Sequence, residues 1–85
     1  ASSRLMSIYP NPTRGVLNIE FNNIDNKISS LSIVNVLGDR IYNEDLESST
    51  SKYSNQLDLS KYSDGIYFVR FKTKDGFITK KLILQ

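Results

Sequence analysis

The sequence predicts an all-β domain of short antiparallel strands, and three observations carry the prediction. Turn-forming residues recur about every 8 to 15 positions between short β-rich runs, the spacing of sandwiches and barrels. No segment repeats its apolar residues with a helical period. Residues 65–85 hold IYFVRFKTK and FITKKLILQ on either side of Asp75-Gly76. Asp-Gly between two such runs is the strongest short-range hairpin signal, because a type I′ turn needs φ > 0 at both central positions.

A two-residue Asp75-Gly76 turn sets the register of this hairpin. Lys74 then faces Phe77, which places Thr73 against Ile78, Phe71 against Lys80, Val69 against Leu82 and Tyr67 against Leu84 on the core face. The other face pairs Lys72 with Thr79, Arg70 with Lys81 and Phe68 with Ile83. The hairpin is therefore graded. Ile66, Tyr67, Phe68, Ile83 and Leu84 make an apolar base, and Arg70, Lys72, Lys74, Lys80 and Lys81 make a basic tip. Arg70 opposite Lys81 puts like charges across a strand pair, a cost of a few tenths of a kcal/mol. Two readings fit the tip, a lysine-rich edge kept soluble by its charge and a docking patch.

Upstream, residues 5–9 form a short first strand that ends at Pro10-Asn11-Pro12. Pro12 disfavours the αR region for Asn11, and Asn before Pro suits a type I turn, so YPNPTRG is predicted to be a rigid corner whose prolines also blunt an edge. In residues 15–21, Leu17, Ile19 and Phe21 alternate with Asn18 and Glu20, the pattern of a half-buried strand. Residues 22–28 are polar with two isoleucines and read as a loop or a short edge strand. Residues 30–37, SLSIVNVL, run into Gly38-Asp39 and then RIYNEDL, a second hairpin whose register Asn35 leaves less defined. The serine-rich residues 46–55 are predicted to be a long crossing loop. Beyond it, Leu57 and Leu59 close a strand, Asp58 or Ser60 caps a short turn, and Tyr62 tucks back before Asp64-Gly65 launches the final hairpin.

Eighty-five residues make one domain. Leu, Ile, Val and Phe number 26 of them, above the composition at which chains stay disordered. There is no cysteine to add cross-links, so stability is expected to be modest. Net charge is only +2, but it is unevenly placed: residues 70–85 hold five basic groups and one acid, residues 1–69 six basic groups and eight acids. Such polarity can steer an acidic partner and is too weak to argue nucleic acid or anionic lipid. No run approaches the ~18 apolar residues of a transmembrane segment, and residues 1–9 hold no signal peptide. The chain is thus expected to be cytosolic or a module of a longer exported protein.

The lack of histidine and cysteine removes Ser-His-Asp and Cys-His nucleophile systems and the usual zinc sites. None of Gly15, Gly38, Gly65 and Gly76 belongs to a phosphate loop, and no cofactor is expected. Asp58 and Asp64 bracket one loop while Glu44, Asp45 and Glu47 cluster in another; they read as solvated loop acids, because a glycosidase pair needs a cleft. Asp25-Asn26 and Asn43-Glu44-Asp45 are too sparse for calcium. Tyr67, Phe68, Arg70, Phe71 and Lys72 interleave rings and cations as single-strand nucleic-acid platforms do. Alternation places Tyr67 and Phe71 in the core, which argues against nucleic acid. An exposed Tyr9, Tyr42 or Tyr53 could instead form a sugar-stacking surface.

Four segments in this order resemble the type A C-terminal sorting domain of the type IX (Por) secretion system of Bacteroidota: IYPNPTRGVLNI (8–19), LSIVNVLGDRIY (31–42), DLSKYSDGIYFVRF (58–71) and GFITKKLILQ (76–85). The resemblance covers residues 5–85 and leaves residues 1–4 as a linker. It implies a seven-stranded immunoglobulin-like antiparallel β-sandwich at the C-terminus of a secreted protein, and a signal in place of an enzyme. An N-terminal cargo would enter the periplasm by its own upstream signal peptide. The outer-membrane translocon and its shuttle would then recognise the folded domain, and the protein would cross to the cell surface or medium. There a sortase-like peptidase usually removes the domain, leaving cargo released or attached to lipopolysaccharide.

Residue by residue, the resemblance puts the family's N-terminal motif on Tyr9, Pro10, Asn11, Pro12 and Gly15, and its glycine-aromatic element on Gly65 and Tyr67. The terminal recognition segment falls on Gly76, Lys80, Lys81, Leu82, Ile83, Leu84 and Gln85, and the basic tip at Arg70, Lys72 and Lys74 gains weight as a docking surface. Leu82 and Leu84 read equally as core. Weak self-association through an exposed edge strand stays open, and the rival function is an accessory carbohydrate-binding or adhesion module.

Overall fold

Alternating apolar and polar residues build two layers that bury one face each. The computed structural model describes residues 6–22 and 27–85, with the backbone alone at 47–49. Its strands are β1 (Met6–Tyr9), β2 (Val16–Asn22), β3 (Ile28–Asn35), β4 (Arg40–Thr50), β5 (Lys52–Asp58), β6 (Gly65–Thr73) and β7 (Gly76–Leu84). One antiparallel sheet has the order β1-β2-β5 and the other β4-β3-β6-β7. No helix occurs among the described residues.

The inward residues of both sheets form a single cluster. Leu17, Ile19 and Phe21 of β2 share it with Leu31 and Ile33 of β3, Val69 and Phe71 of β6, and Ile78, Leu82 and Leu84 of β7. Phe71 lies at the contact between layers. Its ring centroid is 5.3 Å from that of Phe21 and 5.4 Å from that of Tyr53, both in the smaller sheet. Tilted and edge-on rings at such distances add about 0.5–1.5 kcal/mol per pair beyond the burial of their area.

Several expectations need correction. The last hairpin turns at Lys74-Asp75, so its register is displaced by two: Phe71 faces Ile78, Val69 faces Lys80 and Tyr67 faces Leu82. The buried Thr73 hydroxyl accepts the N–H of Asp75 at 3.2 Å and donates to the Gly76 carbonyl at 3.3 Å, and Gly76 takes a φ of 139° that a side chain would resist. A shift of two leaves every side chain on its predicted face. It also separates the like charges, since Arg70 now faces Thr79 and Lys81 faces Phe68.

Residues 46–55 are not a crossing loop. β4 and β5 run through them with a bend only at Ser51, where the chain leaves the larger sheet for the smaller. Both are border strands, and a border strand tolerates the polar residues that made this stretch look like loop. In the β3–β4 hairpin, Val36 and Leu37 belong to the turn and are exposed. The Asn35 side chain holds that turn by accepting the N–H groups of Leu37 at 3.0 Å and Asp39 at 2.9 Å. Of the predicted loop or edge strand at 22–28, residues 23–26 lie outside the described residues, as do Leu5 and the linker 1–4; Ile28 is already buried in β3.

The β5–β6 crossover follows the prediction closely. The Asp58 carboxylate accepts the Ser60 N–H at 2.9 Å, and hydrogen bonds from Ser60 hold its carboxyl below the usual range. Leu59 is buried, and the Tyr62 hydroxyl donates to the Ile41 carbonyl at 3.1 Å. Tyr67 donates to the Ser63 carbonyl at 2.6 Å, which pins the start of β6 to the crossover.

Glu44 is also corrected. It is half-buried in β4 and accepts two tyrosine hydroxyls on Oε1, from Tyr42 at 3.0 Å and from Tyr53 of the other sheet at 2.6 Å. Burial first, and the Glu44 hydrogen bond second, push both phenols above the ordinary tyrosine range. Tyr42 and Tyr53 thus turn inward as a clasp between layers and do not share a surface with the exposed Tyr9.

Phe71→Ala is expected to cost about 3–5 kcal/mol, a large share of the stability of so small a domain, by urea unfolding. The clasp has a pH signature. A phenol whose pKa is raised by folding contributes fully below its unfolded value near pH 10 and loses that contribution as pH rises past it. The melting temperature should fall from about pH 9 to 11, and fall less steeply in Tyr53→Phe, which at neutral pH should be less stable by about 1 kcal/mol.

Candidate functional site

β7 is the outermost strand of the larger sheet, so only one of its edges pairs with β6. Along it, Ile78, Leu82 and Leu84 point into the core, with Lys80 half-buried on the same side. Phe77, Thr79, Lys81 and Ile83 point to solvent on the outer face. The backbone groups of those odd-numbered residues are the ones directed away from β6.

The N-terminal corner closes the last part of this edge. The Asn11 amide donates from Nδ2 to the Lys81 carbonyl at 2.9 Å and accepts the Ile83 N–H on Oδ1 at 2.9 Å, so one side chain stands in for a strand residue. Thr13 continues the pairing through its backbone. Its N–H donates to the Ile83 carbonyl at 2.9 Å and its carbonyl accepts the Gln85 N–H at 2.9 Å, as a short parallel bridge beside Leu84. The Thr13 side chain is buried; its hydroxyl donates to the Val16 carbonyl and accepts the Gly15 N–H.

Gly15 is required by close approach. A Cβ there would stand 3.0 Å from Cβ of Ser60, because the Gly15 carbonyl accepts the Leu59 N–H at 2.8 Å. The motif Tyr9, Pro10, Asn11, Pro12 and Gly15 is therefore a connector, joining β7 on one side to the crossover after β5 on the other. Tyr9 itself lies on the outer face of the smaller sheet, its hydroxyl on Glu20.

The predicted recognition residues separate into two groups. Leu82 and Leu84 are core, whereas Lys81, Ile83 and Gln85 are exposed. The basic residues do not form one patch. Arg70, Lys72 and Lys81 share the outer face, Lys74 sits in the turn, and Lys80 points to the opposite side of β7. The Arg70 guanidinium lies 4.0 Å from the centroid of the exposed Phe77 ring, a contact worth about 0.5–1 kcal/mol at a surface. Beyond them, Ile66 and Ile83 face each other and Phe68 lies beside Val34, so the outer face grades from basic near the turn to apolar near Gly65. Gly65 and Tyr67 open β6, with Gly65 opposite Leu84. The role of Asn11 as an edge cap was not anticipated, and an Asn between two prolines at a strand end is the one local signal for it.

The family model described as a secretion system C-terminal sorting domain matches residues 7–85. No match emerges among curated proteins.

Asn11→Ala removes both side-chain bonds to β7 and should cost about 1–2 kcal/mol. Hydrogen exchange of the Ile83 amide should accelerate selectively. Asn11→Asp keeps the acceptor for Ile83 and loses the donor to Lys81, so it should fall between alanine and the parent.

Proposed function

Because the chain belongs to the C-terminal sorting domains of the type IX secretion system, we propose that it is a non-catalytic export signal, read in its folded form. It directs an N-terminal cargo from the periplasm across the outer membrane to the cell surface or medium, and a sortase-like peptidase then cleaves it away. The translocon and its shuttle recognise the C-terminal strand at Lys80, Lys81, Ile83 and Gln85 together with the basic side chains of Arg70, Lys72 and Lys74. The observation that carries this reading is the clamp. Asn11 and Thr13 hold residues 81–85 in a defined edge geometry that leaves the side chains of Lys81, Ile83 and Gln85 exposed.

We read the fold as an immunoglobulin-like sandwich. Two features support it, the division into sheets of three and four strands with β4 leaving for β5 across the layers, and the Tyr67 hydroxyl bonded back to Ser63 where β6 begins.

Deleting residues 80–85 would remove Leu82 and Leu84 from the core and confuse unfolding with loss of signal. Charge reversal avoids that. With residues 1–85 fused behind a periplasm-directed fluorescent reporter in a host with an intact type IX system, the parent domain should deliver reporter to the surface or medium. Lys80→Glu with Lys81→Glu should stay folded and reduce delivery, while Lys52→Glu with Lys61→Glu should not. Normal delivery with both Lys80 and Lys81 reversed would remove the docking role.

A further inference from the structure

The β7 edge is closed over only half its length. Asn11 and Thr13 occupy the outward backbone groups from the Lys81 carbonyl to the Gln85 N–H. Nearer the turn, the N–H and C=O of Phe77 and Thr79 and the N–H of Lys81 are directed to the same side by the alternation of the ladder. Among the described residues, no strand or loop bonds to them. Phe77, Thr79 and Lys81 are also exposed at their side chains. A regular row of unpaired strand groups is a template for one more strand.

We propose that the segment from Phe77 to Lys81 receives an added β-strand from the secretion machinery, and that this strand is acidic. The inference rests on the export reading and names the mode of recognition. Charge selects the partner. Residues 70–85 carry five basic groups and one acid. Lys80 and Lys81 project to opposite sides of β7, so acidic residues on either face of an added strand meet a lysine. A second copy of this chain is a poor occupant. Antiparallel self-pairing about Thr79 would set Lys81 against Phe77 and Lys80 against Ile78, with no acid opposite either lysine and two basic hairpins side by side.

The clamp also sets the limit of the pairing. The added strand can continue past Phe77 toward the turn, but Asn11 already holds the Lys81 carbonyl and the Ile83 N–H. Asn11 thereby acts as a stop that positions the partner against Phe77, Thr79 and Lys81. The basic side chains then confer selectivity, while the backbone of β7 carries the pairing.

Thr79→Pro tests this directly. It deletes the outward N–H at the centre of the segment and spares the β6–β7 ladder, in which that N–H takes no part. Thr79→Ala changes the same side chain and keeps the N–H. In the reporter fusion, with both variants first matched to the parent in circular dichroism and melting temperature, Thr79→Ala should be exported like the parent and Thr79→Pro about tenfold less. Folded Thr79→Pro exported at the parental level overturns strand addition. If Thr79→Pro does not fold, the parent domain answers the question by amide hydrogen exchange with the detergent-solubilised outer-membrane secretion complex. Slowed exchange at Phe77, Thr79 and Lys81 is expected; unchanged exchange there in a bound domain overturns the proposal. A parent fusion that is not exported at all overturns the export reading instead, so the two failures are distinguishable.

Discussion

A strand at the border of a sheet carries a row of backbone N–H and C=O groups with no neighbour, and this domain meets that constraint at β7 with its own N-terminal corner. Residues 11–13 and 81–85 are far apart in sequence, yet they share four hydrogen bonds, two of them from a single side-chain amide. The consequences spread inward. Thr13 is drawn into the interior, its hydroxyl ties the corner to β2, and Gly15 lies against Ser60 closely enough to accept the Leu59 N–H. The same few residues thus join the larger sheet, the smaller sheet and the crossover between β5 and β6. Loss of the corner would loosen all three.

The opposite border is managed differently. β4 and β5 are polar strands that pass from one sheet to the other at Ser51, and their inward residues Ile41, Tyr42, Leu46, Tyr53 and Leu57 are only partly buried. What closes this side is the Glu44 carboxylate, with a tyrosine hydroxyl from each layer on one oxygen. With less apolar area and more hydrogen bonds near solvent, this border is the place where local opening should cost least. The C-terminal hairpin lies at the other extreme, contributing Tyr67, Val69, Phe71, Ile78, Leu82 and Leu84 to the core.

On the proposed export reading, that asymmetry would put the strand read by the machinery in the best-held part of the fold. Alternation lets β7 serve two purposes at once. Its inward residues Leu82 and Leu84 hold the sandwich together, while its outward residues Phe77, Thr79, Lys81 and Ile83 stay exposed. The geometry of the site exists only when the core residues on the other face are in place. A mutation at Leu82 or Leu84 would therefore act through the fold, whereas a change at Lys81, Ile83 or Thr79 acts on the surface.

The sequence alone determined the class of the fold and which face of most strands is buried. Leu17, Ile19 and Phe21, like Tyr67, Val69 and Phe71, point inward as their alternation requires, because period-two patterning is a local property that a one-residue slip would destroy. It could not decide the register of the last hairpin, since a shift of two preserves every face. The Thr73 hydroxyl and Gly76 chose the turn, and with it the separation of Arg70 from Lys81. Nor could it show that residues 46–55 are strand or that Glu44 is a clasp. Polar residues become strand there because they border a sheet, and Glu44 finds its second tyrosine nine residues away in the other layer. The candidate site divides in the same way. Basic and aromatic residues were visible along the chain, but only tertiary structure sets Asn11 and Thr13 against β7, because a strand edge is a relation between segments about 70 residues apart.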